Sequence, residues 1–68
     1  MLYYIKAEVQ FRVRGISGPF NVNASNLVNA SGREEARTKF EEHVKNNHRH
    51  MAFEDVKFNY LEAAEEIK

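Results

Sequence analysis

Three histidines and an arginine crowd one short stretch of this chain. His43 stands five residues before His48, Arg49 and His50, inside the segment HVKNNHRHM. Imidazoles so spaced raise the question of a metal site. A zinc site needs three or four ligands converging at about 2 Å. The chain has no cysteine and no H-E-x-x-H pair, so the histidines would have to do this alone. A plainer reading also fits. Cationic side chains just past the C-terminus of a helix are favoured by its dipole. On that reading the cluster is a basic helix stop, and neither a metal nor another cofactor is expected.

Other chemistry finds less support. Ser17, Ser25 and Ser31 lack the flanking glycines of a G-x-S-x-G elbow. Glu34–Glu35, Glu41–Glu42 and Glu65–Glu66 are adjacent in sequence, and adjacent residues on a helix do not face one another. The GISGP segment is too short for a phosphate loop and precedes a strand, not a helix. A chain of this length has little room for a closed pocket of several hundred Å³. The expectation is a protein that is not an enzyme and has no catalytic residue.

Composition narrows the class further. The 68 residues read as one domain, residues 1–68. So small a domain buries only about 60% of the surface its unfolded chain exposes. Without cysteine there is no disulfide to add stability, which suits a reducing cytoplasm. No apolar run approaches the roughly 20 residues of a membrane span. Lys6 and Glu8 interrupt the N-terminal stretch where a signal peptide would be apolar. A cytoplasmic protein with no membrane partner is expected. Net charge is zero, which argues against binding nucleic acid through bulk charge. The charges are uneven, however. Residues 1–33 carry four bases and one acid, and residues 34–68 six bases and nine acids.

The elements that must position these groups are legible from periodicity. YYIKAEVQFRVR alternates, with Tyr3, Ile5, Ala7, Val9, Phe11 and Val13 on one side. That is the period of a half-buried strand. Gly15, Gly18 and Pro19 then mark a hairpin loop. FNVNA resumes the alternation with Phe20, Val22 and Ala24 inward, but Leu27 and Val28 are adjacent apolar residues. A bulge near Ser25 and Asn26 would restore the phase. From Ser31 a helix is expected, opened by a Ser31–Glu34 capping box. Its buried stripe would be Ala36, Phe40 and Val44, flanked by His43 and Asn47. Glu35–Lys39 and Glu41–Lys45 would pair on the solvated side, and Asn46 and Asn47 would end it. EDVKFNYLEA alternates again, with Val56, Phe58 and Tyr60 inward. EAAEEIK favours a last helical turn by composition.

The expected architecture is α+β: a three-stranded antiparallel sheet in ββαβ connectivity and order 2-1-3, with one helix packed on one face. Its other face would present Tyr4, Lys6, Gln10, Arg12 and Arg14 from the first strand. Asn21 and Asn23 would join from the second, and Lys57 and Asn59 from the third. Basic, amide and aromatic groups on a sheet can hold phosphates and stack bases. Glu8 in the middle and the missing aromatic pair of sheet-based RNA binders weigh toward a protein partner or an ordinary solvated face. Both outer strands also leave ladder groups free, open to pairing with another chain. The narrow helical stripe leaves apolar surface that would suit a second copy or a partner.

Two resemblances add to this. Ala30, Glu34, Glu35, Ala36, His48 and Arg49, over roughly the C-terminal two thirds, look like the archaeal large-subunit ribosomal protein LX type, a family that is strongly basic where this chain is neutral. The whole chain, in size and layout, resembles small phage-encoded inhibitors, including several anti-CRISPR proteins. The opening YYIKAEVQ, the polar second strand and the A-S entry to the helix carry that likeness. It implies a protein that blocks a host defence or nucleic-acid-processing complex by surface contact. The expected contact residues are Tyr4, Lys6, Arg12, Arg14, Asn23, Lys57 and Asn59. The alternatives are an RNA- or DNA-contacting protein that uses the same face, and a homo-oligomeric structural accessory protein, such as a homodimer.

Overall fold

The computed structural model describes residues 1–15 and 17–67. Ile16 of the GISGP loop and Lys68 of the EAAEEIK segment lie outside the described residues. Strand β1 (Leu2–Val13) is followed by β2 (Phe20–Asn29), helix α1 (Arg33–Asn47), a 3-10 turn (Arg49–Met51) and β3 (Phe53–Ile67). The sheet is antiparallel with order β2-β1-β3, as the alternation predicts. Tyr3, Ile5, Ala7, Val9 and Phe11 of the central strand are all buried. The hairpin turn places Gly15 and Gly18 at φ 85° and 85°, a left-handed conformation that costs glycine nothing.

Helix α1 lays Ala36, Phe40 and Val44 on the sheet. Phe40 is 1% exposed and meets Phe58 and Tyr60 at centroid distances of 6.2 and 6.3 Å. The helix entry differs from the expected capping box. Gly32 is the N-cap and makes no side-chain bond. The Ser31 hydroxyl and backbone N–H donate to Glu35, one residue beyond the expected Glu34. Starting the helix at Arg33 moves the reach of Ser31 by one position. Glu35 also pairs with Lys39 at 3.2 Å. Glu41 turns to the sheet instead of to Lys45 and accepts the Tyr60 hydroxyl hydrogen bond. Burial first, and the Glu41 carboxylate second, push the Tyr60 hydroxyl upward in pKa.

The Ser31 hydroxyl, then Lys39, pull the Glu35 carboxyl from 4.5 down to about 2. A depressed acid stabilises the fold above its unfolded value, and that stabilisation is lost as pH falls through the folded one. The clasp at the helix entry is therefore expected to hold at neutral pH and to open between pH 4.5 and about 2. An NMR titration of the Glu35 side chain should find its midpoint near 2 in the native chain. In Ser31→Ala the midpoint should move back toward 4.5; an unmoved midpoint would remove Ser31 from the account.

The irregularities fall in a different strand from the one expected. β2 pairs with β1 without interruption from Leu2↔Asn29 to Phe11↔Phe20, so there is no bulge at Ser25 and Asn26. The phase is kept in another way: Asn26 takes an inward position and Leu27 points out. The shifts lie in the β1–β3 ladder, between Tyr4 and Lys6, Lys6 and Ala7, and Arg12 and Val13. Nor is EAAEEIK a helical turn, because β3 runs on as strand to Ile67. Pairing with the N-terminal half of β1 outweighs the local helical preference of Ala and Glu. Ala64 absorbs the added residues at φ 46° and is 1% exposed.

Element lengths set the coverage. A 15-residue helix spans about 22 Å, whereas a 12-residue strand spans about 40 Å. The molecule extends 43 Å along its long axis. The helix therefore seals the central strand and leaves Val22, Ala24, Val56, Phe58 and Tyr60 half-buried on the flanks. Among the described residues no helix is long and apolar enough to cross a membrane.

Candidate binding face

The helix-free side of the sheet gathers most of the expected contact residues. Residues directly opposite in an antiparallel ladder share a face, so the register orders them into rows across β2, β1 and β3. Asn21, Gln10 and Lys57 form one row, and Asn23, Glu8 and Asn59 the next. Ser25, Lys6 and Glu62 follow, then Leu27, Tyr4 and Glu65, and last Asn29, Leu2 and Ile67. Arg12 stands opposite Asp55 at the far end. Tyr4, Lys6, Arg12, Asn23, Lys57 and Asn59 thus share one surface. Arg14 does not extend the rows: it lies past the end of β1, and its guanidinium pairs with Glu54 at 2.8 Å.

The face is polarised along its length. Gln10, Arg12, Pro19, Asp55 and Lys57 line a shallow depression at the hairpin end, together with Phe11. The opposite end carries an apolar cluster between Asn29 and Glu65. Leu2, Leu27 and Ile67 are exposed there, Leu27 by 55%, around the half-buried Tyr4. Sequence reasoning missed these three. Leu27 was the available signal, since an apolar residue out of phase can mark a bulge or an outward contact. Ile67 was hidden by the expected terminal turn.

Acids temper the basic character. Glu62 faces Lys6, Asp55 faces Arg12, and Glu8 occupies the central row. Interleaved signs make a poor track for a phosphate backbone, whose affinity comes from neutralising successive phosphates.

The histidine cluster closes the helix. His48 is the C-cap, and its N–H donates to the Lys45 carbonyl at 3.2 Å. Its ring packs on Phe11 at a centroid distance of 4.8 Å, with Nδ1 2.7 Å from the Val44 carbonyl oxygen. With the proton on Nδ1 this is a hydrogen bond that satisfies one of the helix's last carbonyls. His43 Nε2 meets the Asn47 amide at 3.1 Å. Among the described residues, no three His, Asp or Glu side chains converge as metal ligands. His43 and His48 are engaged at the helix end and on the sheet beneath it, and exposed His50 stacks on His48 at a centroid distance of 6.4 Å.

No family model matches the chain, and no match to it was found among the curated proteins or among the solved structures.

Proposed function

We propose that this protein is a non-enzymatic binding module that docks the helix-free face of its sheet on another protein and occludes a surface of that partner. The observation that carries this reading is the polarised face itself. Leu2, Leu27 and Ile67 around Tyr4 give an apolar anchor, while Asn23, Asn59, Lys57 and Arg12 give a hydrogen-bonding and charged rim. Protein interfaces combine such an anchor with a polar rim, and a few aromatic or Arg side chains carry most of the affinity. An inhibitor acting by surface contact needs no more chemistry than this. Nucleic acid is the weaker partner class, because Glu8, Asp55 and Glu62 stand among the bases.

A tagged pull-down from bacterial lysate, with and without nuclease, tests the reading. One stoichiometric protein complex should survive nuclease. Tyr4→Ala with Leu27→Ala should weaken that complex by about thirtyfold, the scale of a hot-spot truncation. Capture that disappears with nuclease would transfer the face to nucleic acid. Capture indifferent to both substitutions would move the contact off this face.

A further inference from the structure

The two edges of the sheet are built differently, and the difference points to a use for one of them. β3 has the features that deter edge pairing. Its 15 residues include Glu54, Asp55, Lys57, Glu62, Glu65 and Glu66, and its ladder with β1 is broken by register shifts and by the left-handed Ala64. β2 has none of them. Its ten residues, FNVNASNLVN, carry no charge and no proline, and they pair with β1 in unbroken register.

Among the described residues, the hydrogen bonding leaves the outer side of β2 open over residues 21–25. The Ala30 N–H donates to the Met1 carbonyl at 2.9 Å, which fixes the alternation of an antiparallel ladder. Even-numbered residues of β2 then bond to β1. Asn21, Asn23, Ser25 and Leu27 direct their N–H and C=O groups to the free edge. Leu27 N–H is satisfied by the Asn26 side chain at 2.9 Å, and the Asn29 carbonyl by Lys39 at 2.9 Å. Beside this edge, on the helix side, runs a groove lined by Val22, Ala24, Asn26, Phe40, His43 and Asn47. Phe20 opposes buried Phe11 and so faces the same side, yet it is 50% exposed. The inner surface is left unfinished along β2.

We infer that β2 is a self-pairing edge: two copies of this chain join antiparallel through residues 21–25 into one six-stranded sheet, with both helices on the same side. A second copy suits this edge better than a charged foreign strand. An antiparallel two-fold pairing brings β2 against β2, with inward residues opposite inward residues. Val22 and Ala24 of each copy then continue the apolar row into the groove of the other, and outward Asn side chains meet amides or Ser25. Neither the strand nor the chain as a whole has net charge to oppose the approach. The added burial also serves a domain of a size that often needs a partner subunit.

Sedimentation equilibrium over a wide dilution series tests this. The native chain should reach twice its 7.9 kDa mass at high concentration. Ser25→Glu and Asn23→Lys each place a charge on the edge, and each is balanced within its own sheet, by Lys6 and Glu8 respectively. Asn23→Lys should self-associate about tenfold more weakly, because position 23 opposes its own copy at the two-fold axis and like charges then meet there. Ser25→Glu opposes Asn21 and should pair as the native chain does. An equal mixture of the two should recover the native mass as a heterodimer. In the native chain, the Asn23 and Ser25 amides should gain exchange protection only at concentrations where the mass doubles, a readout independent of how well the variants fold. A mass of 7.9 kDa at every concentration overturns the proposal. So does a dimer that Asn23→Lys does not weaken, or a mixture that stays monomeric.

Discussion

Replacing Phe40 with alanine is expected to unfold much of the population at room temperature. Removing a buried Phe side chain costs about 3–5 kcal/mol, and a domain of 68 residues has roughly 3–10 kcal/mol in total. Phe40 is the largest fully buried side chain on the helix. Its ring meets both Phe58 and Tyr60 on the inner face of β3. Its neighbours on the stripe, Ala36 and Val44, are too small to close over the cavity. Urea unfolding followed by far-ultraviolet circular dichroism gives the measurement. A loss below about 1 kcal/mol, the typical effect of a point mutation, would mean that the helix is held mainly by its ends, through His48 and the Ser31 clasp.

Ala64→Val is expected to be a strongly damaging conservative change, at about 2–3 kcal/mol. Two costs combine. Ala64 already pays the left-handed cost of roughly 1–2 kcal/mol common to all residues with a Cβ, and a β-branched side chain, a pronounced outlier there, adds to it. The site is also 1% exposed, so the added methyl groups overpack the core by about another 1–3 kcal/mol. Ala63→Val provides the comparison, because Ala63 is exposed on the same strand. If both variants unfold at the same urea concentration, the bulge at Ala64 is not a fixed feature of β3. The effect bears on function as well. The irregularity in β3 brings Glu65 and Ile67 into register with Tyr4 and Leu2, so a collapsed bulge would displace the third strand from the apolar end of the binding face.

The proposed face and the proposed edge share Asn23 but otherwise use different groups. Tyr4 and Leu27 lie on the outward side of the sheet, whereas self-pairing uses main-chain groups along β2. A dimer would place two copies of the face on one continuous sheet. Avidity for a repeated or symmetric target would follow without any new contact.

Much of this molecule was written in its local sequence. Alternation in YYIKAEVQFRVR selected the central strand and its buried side, because a strand's period of two admits no other amphipathic arrangement. The spacing of Ala36, Phe40 and Val44 selected the helix face. Short connections, together with strand direction, then determined the antiparallel order β2-β1-β3. Six of the seven expected contact residues lie together on the outward face for the same reason: parity along a strand decides the face. What local pattern did not decide was register against a partner strand. Leu27 suggested a bulge, yet the cross-strand ladder tolerates one apolar residue facing out more cheaply than it gives up hydrogen bonds. EAAEEIK prefers a helix in isolation, yet the unpaired N-terminal half of β1 offered it a ladder. Arg14 left the face because it lies past the last paired residues, where Glu54 is within reach. The apolar anchor of Leu2, Leu27 and Ile67 and the contrast between a guarded and an open edge both depend on residues distant in the chain. They exist only once pairing is complete, so the tertiary structure alone decided them.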